Sequence, residues 1–363
     1  MRPSSWRARP WMTSVRSESG LTVRVAVYYS NSDIRLEDRP VPLIGPAEIL
    51  LRIRASGICG SDVMEWYRMP KAPLVLGHEV AGDIVQVGED VTHLAVGQRV
   101  VVSHHVPCNT CALCLDGAHT ACHTLHTTNF DPGGFSEYVR VPALQTDRGV
   151  LVLPDGVSFE EGTFVEPLGC VVRAQERAGV RPGATVLVVG SGISGLLHIR
   201  LAFALGAGRV VATDVSDYRL EFARRSGATA FHAADAGPGL PDLVRDVNDG
   251  RLADLVILCT SALPAIAQGL GSLESGATFI FFAPPPPGEP LALPMTELWR
   301  REVTVRTSYG AAPADLATAL RLIASRRVAV ADLVTHRLPL DDLERGFALV
   351  AAADESVKVV VEP

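Results

Sequence analysis

Residues 185–195 read TVLVVGSGISG. The first five form an unbroken apolar run, as a strand buried on both faces of a parallel sheet requires. Gly190, Ser191, Gly192, Ile193, Ser194 and Gly195 then fit G-x-G-x-x-G, and residues 194–205 read as a helix. Alone the pattern is weak. Between a buried strand and a helix it acquires a physical meaning. Gly190 permits a tight turn, Gly192 lets backbone approach a pyrophosphate, and Gly195 lets helix and strand pack closely. The helix N-terminus offers free N–H groups and the positive end of its dipole to phosphate.

A second apolar run, 210–213, ends at Asp214, nineteen residues after Gly195. A carboxylate there accepts hydrogen bonds from ribose hydroxyls and repels a 2′-phosphate, which favours NAD over NADP. Arg219 lies nearby, where it would offset part of that repulsion or stack on adenine. The competing reading is a structural glycine turn with Asp214 as a solvated strand end. Further runs at 255–258 and 277–283, with a charged helical stretch at 217–227, alternate strand and helix. That rhythm indicates βαβ units in a doubly wound parallel sheet.

Upstream the character differs. Residues 21–152 hold short Val/Ile runs at 23–28, 48–53, 79–87 and 99–102, broken by Gly and Pro. This predicts a β-rich, barrel-like region. Residues 159–181 read as helical, with Glu160 and Glu161 near the start. Residues 357–361 are strand-like and are expected to return to the first region. Pro284–Pro287 with Gly288 reads as a rigid connector.

The 363 residues are 47% hydrophobic and 20% charged with a net charge of −7, the balance of a globular chain. The negative balance argues against a nucleic-acid surface. No apolar run approaches the roughly 18 residues of a membrane-spanning helix. Residues 1–20 are rich in Arg and Ser and lack an apolar core, so they do not read as a secretory signal. They read as a disordered arm or an upstream start, with Met12 as an alternative, and a transit peptide is the other option. The cytoplasm is the expected compartment.

Of seven cysteines, Cys108, Cys111, Cys114 and Cys122 fall within fifteen residues; the others are Cys59, Cys170 and Cys259. Without a secretory signal such crowding reads as metal binding. A loop folded on itself can place four thiolates at the corners of a tetrahedron, the closed arrangement of a structural zinc. His105, His119 and His123 lie close enough to replace a cysteine. Four unliganded surface thiols would invite oxidation.

Three other segments are individually weak: Cys59 in GICGSD (57–62), His78 and Glu79 in GHE (77–79), and Glu166 in FVEPL (164–168). A histidine beside a glutamate is more often a structural pair than a metal site. Taken in order with the cysteine lobe and the glycine loop, these segments form a set. The set resembles the zinc-containing medium-chain dehydrogenase/reductase family, the alcohol dehydrogenase superfamily, and within it the sorbitol/polyol branch. The resemblance spans about residues 23–363.

The resemblance implies an α/β chain in two domains after an N-terminal arm, 1–21. A GroES-like catalytic domain would take 22–160 and 306–363, and a Rossmann NAD-binding domain 161–305. It implies two zincs per chain, the catalytic one held by Cys59, His78 and Glu166. Glu79 would lie beside the metal and join or exchange in its shell. Cys170 is a rival ligand, disfavoured because Glu166 matches the polyol-branch motif. One thiolate, one imidazole and a carboxylate leave a position open, as a catalytic zinc requires. Ser61 matches the hydroxyl that passes the alcohol proton outward, and Asp62 would orient a ligand.

One position departs from the pattern. Relatives often carry a histidine two residues after that aspartate, where this chain has Met64. Glu65 or Tyr67 would then share in proton relay or substrate contact. Trp66 and Met69 would form an apolar pocket wall or pack in the core. The expected reaction is hydride transfer between a secondary alcohol (a polyol, cyclitol, aminocyclitol or sugar-like compound) and a nicotinamide cofactor. An amino-alcohol dehydrogenase of the L-threonine type is the alternative, and a zinc-stabilised nucleotide-binding protein without turnover a third reading. The expected partners are a small alcohol or ketone and further copies of the chain, as a homodimer or homotetramer. In this family subunits often pair near the equivalent of residues 303–305.

Overall fold

The computed structural model describes residues 22–283, 285, 287–288 and 290–363. The expected N-terminal arm, 1–21, lies outside them, as do Pro284 and Pro286 of the proline connector. Six strands form one parallel sheet in the order Thr229–His232, Arg209–Asp214, Thr185–Val189, Ala253–Leu258, Leu273–Phe281, Thr304–Thr307. Thr185–Val189 is central and every residue of it is buried, which explains its unbroken apolar run. The strand order reverses there, so a crevice opens at its carboxyl end, where the glycine loop begins. The boundary drawn at 305/306 falls inside Thr304–Thr307, all four residues of which pair with Leu273–Phe281.

The second large sheet runs Val334–Pro339, Lys358–Glu362, Ile49–Gly57, Glu79–Val87, Arg99–Ser103, Val150–Val152, with Tyr138–Val141 also pairing Ile49–Gly57. A smaller sheet orders Asp33–Pro40, Thr22–Ser30 and Leu74–Val75. The chain's last strand does return to the first region, where Val360 pairs with Gly57.

The stretch 159–181 is two helices rather than one. Phe159–Gly162 is opened by a capping box in which Ser158 and Glu161 bond reciprocally. A second helix, Val165–Ala178, follows. Pro167 has no N–H to offer the Thr163 carbonyl, so the first ladder cannot run through. The second helix buries Phe164 and Leu168 in a core shared by Ala55, Ala81 and Val101 of the antiparallel sheet and Val186, Val188 and Ile257 of the parallel one. Each such side chain contributes about 1.5–3 kcal/mol on burial. Glu166, in that helix's first turn, is thereby fixed at the junction of the two sheets. No helix among the described residues is long and apolar enough to cross a membrane.

Candidate active site and metal centres

Cys59 follows the strand Ile49–Gly57, and His78 immediately precedes the strand Glu79–Val87. Those strands pair with Gly57 opposite Glu79, so backbone register alone brings the two motifs together. Ligand atoms of Cys59, His78 and Glu79 all lie within 4.8 Å of one another. The Ser61 amide donates to the Cys59 sulfur at 3.4 Å.

Asp62 is fully buried and spends both oxygens on this cluster. Oδ2 accepts from the Cys59 amide at 3.1 Å, and Oδ1 lies 3.3 Å from His78 Nδ1. Burial opposes charge on His78, yet the Asp62 carboxylate holds a proton on the ring and raises its pKa well above normal. With Nδ1–H committed to Asp62, Nε2 is the ring nitrogen that could ligate a metal.

Glu79 is buried and splits its oxygens. Oε2 pairs with the buried ammonium of Lys358, while Oε1 has no hydrogen-bond partner. A buried carboxylate oxygen without a partner is costly unless a cation or donor faces it. Beside a thiolate and an imidazole the fitting cation is zinc.

Glu166 stands outside the three-residue cluster but near it. Burial raises its pKa, Glu79 adds to the rise, and His78 and Lys358 oppose it. Its Oε1 lies 3.6 Å from the Cys170 thiol. Burial first, then Glu166 and Cys59, push the Cys170 thiol well up, so it stays protonated.

The second cluster needs no long-range pairing. Cys108 to Cys114, Cys111 to Cys114 and Cys122 to Cys108 are 3.9, 3.5 and 3.6 Å apart at sulfur. All four are free thiols. A tetrahedral site with Zn–S near 2.3 Å has sulfur edges of about 3.8 Å. The amide of Cys111 donates to Cys108 sulfur at 3.3 Å. Amide and hydroxyl donors at Thr110, with that amide, lower the Cys108 thiol to about 5, and burial raises Cys114 to about 12. His105, His119 and His123 are not part of the four-sulfur group.

At the parallel sheet, Gly190 turns with φ +94° and a side chain on Gly195 would collide with the Gly190 carbonyl, so close helix–strand contact requires glycine. Gly192 caps the helix Ile193–Ala204, which opens with Ile193, Ser194 and Gly195. Asp214 ends its strand buried, not solvated, accepting from the amides of Ser191 at 2.6 Å and Ser216 at 2.9 Å. The carboxylate thus braces the glycine loop itself. Arg219 lies over Gly192, 3.6 Å from where a Cβ would stand, and its Nε donates to the Ser356 carbonyl at 3.2 Å.

Trp66 and Met69 are 45% and 49% exposed and are not core residues. Glu65 accepts from the Asn31 amide at 3.2 Å, away from the cluster. Tyr67 is flanked by two cations, Lys71 at 3.7 Å and Arg68 at 4.7 Å from its ring centre.

Several residues of the site carry no readable signal in the sequence. Arg68 donates to Ser61 and Asp62. The His104 ring lies tilted against His78 with centroids 4.8 Å apart, and His105 lies tilted against His104 at 3.8 Å. Burial, with His78 adding to it, lowers His105 to about 4, so it is neutral at neutral pH. Tyr309, stacked on His126, reaches the site from another part of the chain. Lys358 had one clue: it is the only charge in the run 357–361.

Two family models match this chain, "Alcohol dehydrogenase GroES-like domain" over residues 45–155 and "Zinc-binding dehydrogenase" over 194–325. Sorbitol dehydrogenase of Gallus gallus is 34% identical over 95% of this chain and 97% of its own length. D-xylulose reductase A of Aspergillus oryzae is 33% identical over 90% and 93%. Among solved structures, a candidate zinc-binding dehydrogenase from Sinorhizobium meliloti 1021 bound to NADP superposes with TM-score 0.84 at 27% identity, covering 94% of this chain and 100% of that one. 2R,3R-butanediol dehydrogenase from Bacillus subtilis superposes with TM-score 0.82 at 25% identity over 94% and 99%. The chain belongs to the zinc-containing medium-chain dehydrogenase/reductase family, in its sorbitol/polyol dehydrogenase branch, and is a zinc-dependent alcohol oxidoreductase that uses a nicotinamide cofactor.

Proposed function

We propose that the enzyme oxidises a secondary alcohol on a polyol or cyclitol-like substrate with NAD, or reduces the corresponding ketone. The observation that carries this reading is the convergence of Cys59, His78 and Glu79 with an unpartnered Glu79 oxygen. Cys59, His78 and a carboxylate from Glu79 or Glu166 hold the catalytic metal. A zinc held there would acidify the substrate hydroxyl and, in reverse, polarise the ketone.

The chain's own residues do the rest. Asp62 locks the imidazole, and Lys358 steadies Glu79. Ser61 takes the alcohol proton and passes its own proton outward; a nicotinamide bound beside it would accept the carbinol hydride. The glycine loop and the amides at the start of Ile193–Ala204 bind the pyrophosphate. Cys108, Cys111, Cys114 and Cys122 hold a second, structural zinc.

Asp214 and the exposed Val215 beside it offer no cation to a 2′-phosphate, which supports NAD over NADP. The edge strand Thr304–Thr307 is exposed at all four residues, which supports pairing with a second copy. The test is NADH formation with D-sorbitol, xylitol, (2R,3R)-butane-2,3-diol, myo-inositol, 2-deoxy-scyllo-inosamine and L-threonine, alongside zinc analysis. Turnover of a polyol or cyclitol with two zincs per chain is the expected result. Turnover of L-threonine alone would move the enzyme to the amino-alcohol dehydrogenases, and inertness to every alcohol would sink the reading.

A further inference from the structure

The short helix Glu65–Arg68 and the turn Met69–Lys71 after it fold the chain back over the residues following Cys59. The Arg68 side chain, 13% exposed, reaches seven residues back. Its Nε donates to the Ser61 carbonyl at 2.9 Å, and its Nη2 donates to Ser61 Oγ at 3.0 Å and to Asp62 Oδ1 at 3.2 Å. The face of the guanidinium rests against the Tyr67 ring. Planar, permanently charged and held at three points, this group has one available orientation.

A hydroxyl oxygen has two lone pairs and one hydrogen. Arg68 occupies one lone pair of Ser61 Oγ. The other lone pair and the O–H are left to accept one proton and give up another, which is what a relay needs. A fixed cation beside Oγ also lowers the cost of negative charge developing there. Met64, the side chain at the place where relatives often carry histidine, has no group that can do either.

We propose that Arg68 is a positioning residue for alcohol oxidation, fixing Ser61 Oγ as the acceptor of the substrate proton. The inference rests on the reading of Ser61 given above. In the step, the alcohol O–H bond breaks and its proton bonds to Oγ. Ser61's own proton leaves toward solvent, and the carbinol C–H electron pair leaves with the hydride to the nicotinamide. Arg68 keeps all its protons throughout.

The test is a double-variant cycle on the zinc-loaded enzyme with NAD and D-sorbitol, xylitol or (2R,3R)-butane-2,3-diol. Arg68→Met is expected to lower kcat about 10- to 100-fold, within the range for proton-transfer groups, with KM changed little. Arg68→Lys, which keeps the charge but not the fork, is expected to recover part of the loss. In a Ser61→Ala background, Arg68→Met should change kcat less than about 2-fold, because coupled residues are not additive. Zinc content should stay that of the parent. Equal losses with and without Ser61, or loss of zinc from Arg68→Met, would overturn the proposal, since Arg68 would then be acting through Asp62 and His78 or through the fold.

Failure of the parent on all three alcohols counts against the substrate reading alone. The cycle is then read from the proton released on NAD binding, followed with an indicator dye in weak buffer. Arg68→Met should slow that release when Ser61 is present and leave it unchanged in Ser61→Ala. The same slowing in both backgrounds would refute the role.

Discussion

Glu79 and Lys358 meet across Gly57, on the strand that runs between theirs. Gly57 pairs with Glu79 on one side and with Val360 on the other, and a Cβ on Gly57 would overlap both the carboxylate and the ammonium. The pair is buried, 279 residues apart in sequence, and Glu79 itself belongs to the group with Cys59 and His78.

Lys358→Met removes the cation paired with the buried Glu79 carboxylate. Breaking such a pair costs about 3–5 kcal/mol. Urea unfolding should show that deficit in zinc-depleted protein and a smaller one when zinc saturates the site, because the metal takes over the compensation. Glu79→Gln with Lys358→Met should recover most of the loss. Gly57→Ala should destabilise in the same direction by pushing the pair apart. A Lys358→Met protein as stable as the parent in both states would refute the pairing.

Asp62→Asn keeps the shape of the side chain but removes the charge that holds the His78 proton. The imidazole then loses its fixed tautomer. Loss of such a supporting group typically weakens metal binding 10- to 100-fold. Competition with a zinc chelator measures it directly. The four-cysteine site, remote from Asp62, should retain its metal.

The two metal centres should separate by mutation. Cys111→Ser is expected to leave one zinc per chain and to lower Tm, because a structural site contributes its binding energy to folding. Cys59→Ser should also leave one zinc per chain, but with Tm close to the parent's and activity abolished. Metal analysis with calorimetry reads both, and a Cys59→Ser protein that still holds two zincs would be the contrary result.

What could be read locally in the sequence reflects what each feature depends on. Thr185–Val189 and Glu79–Val87 match the expected bounds, because a strand buried by helices on both faces, or one next to a turn, announces itself in its own composition. The cysteine knuckle is local for the same reason: its four ligands need only a loop. The helix expected over 159–181 broke because Pro167 acts on a carbonyl four residues earlier, a rule the apolar pattern hides. The partners of Arg68 and Lys358 were invisible for another cause. They are set by a chain reversal and by strand register across the sheet, and a lone cation carries no mark of either.

Asp214 braces the glycine loop and, on the NAD reading proposed above, also repels a 2′-phosphate, so its replacement should show both effects. Asp214→Ala together with Val215→Arg removes the repulsion of a 2′-phosphate and adds a cation beside it. The ratio of kcat/KM for NADP over NAD should rise at least about 10-fold, the worth of 1.4 kcal/mol. The same change leaves the amides of Ser191 and Ser216 without their acceptor, so Tm should fall even as the preference shifts. A shift in preference with no loss of Tm would mean that Asp214 does not brace the loop.

His198 should make the enzyme acid-sensitive on its own. The ring is fully buried between Gln175, whose amide lies 3.0 Å from Nδ1, and the edge-on Phe282, and its Nε2 has no partner. Burial lowers it from 6.5 to about 3. The native ring therefore stays neutral while the unfolded chain takes up a proton below pH 6.5, so the unfolded state binds more protons. The stability this neutrality protects is fully present above pH 6.5 and is lost as pH falls toward 3, at about 1.4 kcal/mol per unit. His198→Gln retains a polar amide for Gln175 and cannot titrate. The variant should be less stable than the parent at pH 7, and the gap should narrow as the pH is lowered toward 4. His104 and His105, also buried and depressed, steepen both curves alike and cancel in the difference. Parallel stability curves for the two proteins would show that the fold does not lower the His198 pKa.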